Sequence, residues 1–214
     1  MSLTRPILEV RDLTISVLLP DGVRANVVDA VSFAIEDGGT LGLVGESGSG
    51  KTMTSLAIMG LLPRAARVEA GEILFEGEDL LKKSQHQLQQ LRGKQIAMVL
   101  QDPMTALDPS FTIRSQLAEP LEQHRKLHGH DLDSALVASL EQVQLSAAKE
   151  RLNQYPHQLS GGMRQRVTSA ISLAGRSKLV SPRVTRGWPA MSTRGPTRIS
   201  SSRSARCRRR SHRT

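Results

Sequence analysis

The spacing of apolar positions changes period several times along the chain. From Ile7 to Leu19 they alternate loosely with polar ones and stop at Pro20-Asp21-Gly22, a turn signal. Val23 to Glu36 follows with the pattern V-x-x-x-V-V-x-x-V-x-F-x-I, and the two runs together predict an antiparallel hairpin. Asp37-Gly38-Gly39 turns the chain into Thr40-Leu41-Gly42-Leu43-Val44, an apolar run of strand type. Met53 to Met59 reads as a helix, closed by Gly60 and by Leu61-Leu62-Pro63. Gly71 to Gly77 predicts another short strand between glycines, and Ser84 to Arg92 a polar helix with Leu88 and Leu91 inward. Gln95 to Leu100 is a second apolar strand that runs into Gln101-Asp102-Pro103. From Thr112 to Asn153 the chain is mostly helical: Leu117, Leu121, Leu127, Leu132, Leu136, Leu140 and Val143 recur largely at three- and four-residue steps. Asp131 or Asp133 is expected to cap the second of these helices. Ser160 is placed as the N-cap of a helix ending at Ala174, with Gly175 as its stop.

Between the Thr40–Val44 run and the helix that follows lies G-E-S-G-S-G-K-T, Gly45 to Thr52. It fits the phosphate-binding pattern G-x-x-x-x-G-K-[ST] at every fixed position, in the strand–loop–helix context that pattern requires. Glycines let the backbone turn sharply and aim successive N–H groups at phosphate oxygens, and the helix N-terminus adds partial positive charge. Lys51 is expected to reach the β- and γ-phosphates and the Thr52 hydroxyl to hold Mg²⁺. A glycine-rich turn that merely caps a helix has no need of Lys-Thr at this spacing.

Composition narrows the remaining classes. The chain has 214 residues, enough for one domain with a core and a subdomain. A single cysteine, Cys207, excludes an internal disulfide and any multi-thiolate metal site. No apolar run approaches the roughly 18 residues of a membrane span, and M-S-L-T-R-P lacks the apolar stretch of a signal peptide, so a cytosolic chain is expected. Aromatic content of 2% leaves little for base stacking. The net charge of +9 is unevenly spread. Residues 1–150 carry 14 Lys/Arg against all 20 Asp/Glu, whereas residues 151–214 carry 15 Lys/Arg and no acid. Such asymmetry ordinarily marks a nucleic-acid or anionic-lipid tail.

Two further stretches complete a pattern: Gln101 at the end of a strand, and Tyr155-Pro156-His157-Gln158-Leu159-Ser160-Gly161-Gly162-Met163-Arg164-Gln165-Arg166. Two glycines in a first helical turn are locally costly. They make sense where a phosphate of another molecule must approach that backbone closely. Phosphate loop, strand-end glutamine and L-S-G-G in this order resemble the ATP-binding subunits of ABC transporters. V-G-E-S-G-S-G-K-T, V-L-Q-D-P-M-T-A-L-D-P and Y-P-H-Q-L-S-G-G-M-R-Q-R are similar to the dipeptide, oligopeptide and nickel importer branch, over about residues 5–180.

The resemblance implies an α/β fold: a P-loop nucleotide-binding domain over residues 1–180, with an inserted helical subdomain at about 104–160 that docks on membrane permease subunits. It implies ATP and Mg²⁺ as ligands, with Gly45, Glu46, Ser47, Gly48, Ser49, Gly50, Lys51 and Thr52 around the nucleotide. It also implies head-to-tail pairing with a second nucleotide-binding subunit, whose Ser160, Gly161 and Gly162 face the γ-phosphate in trans. Gln101 would position Mg²⁺ and the attacking water. The location implied is the cytoplasmic side of the membrane, peripherally held, with no specific nucleic-acid partner.

The sequence departs from that pattern after the signature helix. Relatives continue with an apolar strand ending Asp-Glu, the Asp supporting Mg²⁺ and the Glu polarising water. Aligning Lys178-Leu179-Val180 with that strand puts Arg183 and Val184 at those positions and Pro182 in mid-strand, where a central parallel strand cannot take it. The catalytic Glu therefore has no counterpart, and the loop carrying the switch histidine is missing; His212 lies in an arginine run. Residues 181–214 hold 10 Arg, no Lys and no acid, too few apolar residues to pack a core, so a disordered tail and a core sheet incomplete at its C-terminal side are expected. An Arg-rich, Lys-free, acid-free tail is what a GC-rich strand yields out of frame, and a frame slip near Val180 is the expectation. Adenine stacking, which relatives achieve from the first strand region, falls near Val17 and is weak. Two other classes stand beside the transporter reading: a nucleotide-binding fragment that does not hydrolyse, and an Arg-tailed nucleic-acid binder. His124, His128 and His130 invite a metal reading, since His124 and His128 at i, i+4 share a helix face, but a solvated face is the simpler expectation.

Overall fold

The computed structural model describes residues 6–46, 48–99 and 106–182. They divide into two units, one up to Leu88 and one from Gln89 onward.

The first unit is built on β1 (Leu8–Leu18), which hydrogen-bonds on one side to β2 (Arg24–Ile35) and on the other to β3 (Ala66–Phe75); β4 (Glu78–Asp79) extends the sheet to the order β2-β1-β3-β4. The predicted hairpin is present, with Leu8 opposite Ile35 and Leu18 opposite Arg24. Its loose alternation has a physical cause. Leu8 and Val10 point inward, then Leu13 and Ile15, and the extra residue between the two pairs is absorbed by a bulge at Asp12, whose φ is +45°. Ala30 of β2 shares that left-handed conformation. Gly71 of β3 passes so close that a Cβ there would lie 2.6 Å from the Asp12 carbonyl oxygen. β3 begins at Ala66 rather than Gly71 as expected. Arg67 and Val68 pair with Ser16 and Ile15 of β1, and pairing overrides a stretch whose own pattern is too polar to announce a strand.

A loop then leads into α1 (Lys51–Ile58), which buries Thr54, Ala57 and Ile58. Thr40 to Val44, expected as a strand, joins neither sheet among the described residues. A parallel strand exists only while hydrogen-bonded to neighbours, and here the run takes no regular structure, with Leu43 partly in water and Val44 84% exposed.

α2 (Gln85–Leu91) confirms the polar helix; Leu88 is buried while Leu91 is only half-buried. The second unit pairs β5 (Ile96–Val99) with β6 (Leu179–Pro182) in parallel, a two-stranded remnant of the incomplete sheet expected. Pro182 does not interrupt β6. It is the last residue, opposite Val99, at the end of an edge strand where a missing N–H is tolerated.

Around these strands lie α3 (Ile113–Arg125), α4 (Gly129–Gln142), the single turn α5 (Ala148–Arg151) and α6 (Gly161–Ala174). Ile113, Leu117, Leu121, Leu136, Leu140 and Val167 are fully buried in one cluster, and Leu127 packs on its edge. The predicted heptad-like leucines are therefore the core of this unit. Neither Asp131 nor Asp133 caps α4. The capping position is His128, which makes no side-chain bond; Asp131 sits in the first turn and Asp133 pairs with Arg114 of α3. Lys126, left-handed at φ +56°, ends α3, so His124 and His128 occupy different elements and share no helix face.

Candidate functional site

The loop before α1 is held by its own lysine. Lys51 Nζ donates to the carbonyl oxygens of Gly45 and Glu46, each at 2.7 Å, and to Ser49 Oγ at 2.9 Å. Three groups of the loop thus surround one ammonium at the N-terminus of a helix. Two glycines make the curl possible, Gly48 at φ +82° and Gly50 at φ +84°, values that a side chain disfavours. Gly50 is restricted twice over, because a Cβ would sit 2.4 Å from the Val27 carbonyl oxygen of β2. A Cβ on Gly45 would meet Ser49 Oγ at 2.6 Å. Thr54 Oγ1 donates to the Gly50 carbonyl at 3.1 Å and ties the turn to the helix. This donor set is a cation at the N-terminus of a helix, and it suits the oxygens of a polyphosphate. Thr52 lies in that first turn, where its hydroxyl fits a hard cation carried by the phosphates. Among the described residues no group of three His, Cys, Asp or Glu could hold a metal by itself. Ser47 and Gln101 lie outside the described residues, as do Arg183, Val184 and the rest of the tail.

The second expected contributor is the start of α6. Ser160, extended at φ −65° and ψ 162°, is the N-cap, and its Oγ accepts from the Met163 N–H at 3.3 Å. The helix ends at Ala174 with Gly175 as C-cap, at the predicted bounds. Gly175 serves for closeness rather than for handedness: its φ is −69°, and a Cβ there would lie 1.8 Å from the Gly93 carbonyl oxygen, while the following Arg176 takes the left-handed turn at φ +55°. Gly161 and Gly162 differ. Neither has a positive φ, both are exposed, and a Cβ on either would meet nothing within 4 Å. Among the described residues nothing requires glycine at those positions, although each costs roughly 1 kcal/mol of helix propensity against alanine.

Two features had no clear sequence signal. Gln116 of α3 binds the preceding loop three times: its Nε2 donates to the carbonyls of Asp108 and Phe111, and its Oε1 accepts from the Asp108 N–H, all at 2.9 Å. A glutamine inside a helical pattern reads as a surface residue, and only the loop's position reveals the staple. It leaves Phe111 53% exposed beside a groove of about 360 Å³ that also touches Asp108, Glu119 and Ile171. Ahead of Ser160, the Tyr155 and His157 rings stack with centroids 5.6 Å apart.

Residues 28–181 match the family described as ABC transporter. The chain is 45% identical over 175 residues to the oligopeptide transport ATP-binding protein OppD of Bacillus subtilis, covering 81% of this chain and 49% of that one. It is 44% identical over 178 residues to OppD of Haemophilus influenzae, covering 82% and 54%. The chain thus spans about half the length of these relatives. In fold it resembles the dimeric post-hydrolysis ATP-binding cassette MJ0796 bound to ADP and Pi, with a TM-score of 0.71, 22% identity, and coverage of 82% of this chain and 72% of that one.

Proposed function

Since the chain belongs to the ABC transporter family, whose cassettes bind and hydrolyse ATP, we propose that it acts as the ATP-binding subunit of an importer of peptides, or of nickel. The observation that carries the reading is the Lys51 ammonium held among Gly45, Glu46 and Ser49 at the mouth of α1. The β- and γ-phosphates exchange with those carbonyls for the lysine, and the N–H groups of the first turn take the remaining oxygens. The Thr52 hydroxyl is the described group that would hold magnesium, which when bound would offset part of the phosphate charge.

A second copy completes the site. Among the described residues nothing requires its Gly161 and Gly162 to be glycine, and close approach to a γ-phosphate supplies a reason. Closure of two copies around ATP needs contacts that only the closed pair makes, and Ser160, Gly161 and Gly162 in trans provide them. Membrane permease subunits are the partners of the helical unit, and the groove beside Phe111 gives an apolar anchor with two acids at its edge. Gln101, outside the described residues, is read from the family resemblance as the residue that would position water and Mg²⁺. Turnover by this chain is negligible, because Arg183 and Val184 stand where relatives carry Asp and Glu. It follows that the chain binds nucleotide more readily than it spends it. The test is calorimetric titration of ATP and Mg²⁺ into the full chain and its Lys51→Ala variant: binding lost in the variant upholds the reading, and equal binding ends it.

A further inference from the structure

A cavity of about 130 Å³ opens between α3, α4 and α6, inside the second unit. Its walls are Ala138, Leu173 and Ala174, and its polar rim is Arg125, Gln142 and Arg176. No acid lines it. We propose that this cavity binds a small tetrahedral oxyanion, inorganic phosphate, between the guanidinium groups of Arg125 and Arg176.

Three observations support it. The first is the charge: Arg125 and Arg176 face the same cavity, and among the described residues neither makes an ion pair. Burial, and then the positive charge of Arg176, pull Arg125 below its ordinary value; an anion between them relieves that repulsion. The second is the backbone. Arg176 takes the left-handed conformation at φ +55° immediately after Gly175, a conformation non-glycine residues seldom adopt. That turn brings its side chain to the cavity. The third is size, since a cavity of about 130 Å³ has room for one tetrahedral anion.

A plainer account has each arginine compensating the negative end of its own helix, as α3 ends at Arg125 and α6 at Ala174. It explains one positive charge apiece. It does not explain why both open on one acid-free cavity. Guanidinium is the cation best matched to phosphate, through paired N–H donors.

The inference does not depend on nucleotide binding, and the experiment keeps the two apart. Inorganic phosphate is titrated calorimetrically into the full chain carrying Lys51→Ala, which disables the phosphate loop. Saturable binding of one phosphate is expected. Arg125→Gln with Arg176→Gln should weaken it by about tenfold or more. Arg203→Gln with Arg208→Gln removes the same charge from the tail and should leave it within about twofold. Ala138→Phe fills an exposed wall of the cavity, keeps both arginines and should abolish binding. This variant decides the matter if circular dichroism shows that the double arginine variant is unfolded. The proposal fails if phosphate does not saturate, if the tail pair weakens binding as much as the cavity pair, or if Ala138→Phe changes nothing.

Discussion

Lys51 Nζ donates to the Gly45 carbonyl oxygen at 2.7 Å, six residues back along the chain. That bond and its twin to Glu46 mean the loop's shape and its charge depend on the same side chain. Lys51→Ala is expected to lower ATP affinity by at least about a hundredfold, since a charge-assisted contact worth about 3 kcal/mol and the loop's own support go together. Calorimetry or a fluorescent nucleotide reads the loss.

Glycines of the two halves of the site should respond in opposite ways. Gly50→Ala forces a Cβ to within 2.4 Å of the Val27 carbonyl at φ +84°; it should lower the thermal midpoint and abolish nucleotide binding together. Gly161→Ala meets open space, so the isolated chain should gain about 0.5–1 kcal/mol of stability. Its binding of ATP as a monomer should persist while ATP-driven pairing of two copies is lost. Thermal denaturation with analytical ultracentrifugation separates these outcomes. A Gly161→Ala chain that pairs as well as the parent would remove the trans contact from the proposed mechanism.

Phosphate release by the purified chain should not exceed that of its Lys51→Ala variant. Turnover that disappears with Lys51 would show that a catalytic carboxylate is supplied by some residue other than those at 183 and 184. The coding DNA bears on the same point. If no other frame after codon 180 encodes an Asp-Glu-bearing strand, the frame slip is wrong.

His124 is expected to make the second unit acid-sensitive. It lies against Gly93, where a Cβ would come 2.3 Å from Nε2. Burial, then Lys126 and Lys94, hold its pKa below the ordinary 6.5, with Glu119 acting weakly the other way. The folded form therefore binds its proton later than the unfolded form as pH falls. The stability tied to this group is intact above about 6.5 and is lost as pH drops through the lowered value. Urea unfolding at stepped pH from 7 downward should show a decline that His124→Gln flattens.

Legibility in the sequence follows how local the determining physics is. Ser160, Gly161–Ala174 and Gly175 were readable because an N-cap and an apolar face are set by residues within a few positions of each other. So was the phosphate loop, whose pattern encodes its turn. Where structure depends on distant partners, the pattern misled: β3 starts five residues early through pairing with β1, Thr40–Val44 finds no ladder, and Asp133 leaves the cap of α4 for Arg114. The reason for Gly175 was also out of reach, because the Gly93 carbonyl it must accommodate lies 82 positions away.

The Thr40–Val44 run has a consequence for the life of the polypeptide in a cell. A mostly apolar run outside any sheet of the described residues, with Val44 facing water, makes the kind of tag that chaperones grip and proteases exploit. On that reading, covering the pentapeptide should lengthen the lifetime of the chain in a cell, and its rate of degradation becomes a readout of its folding.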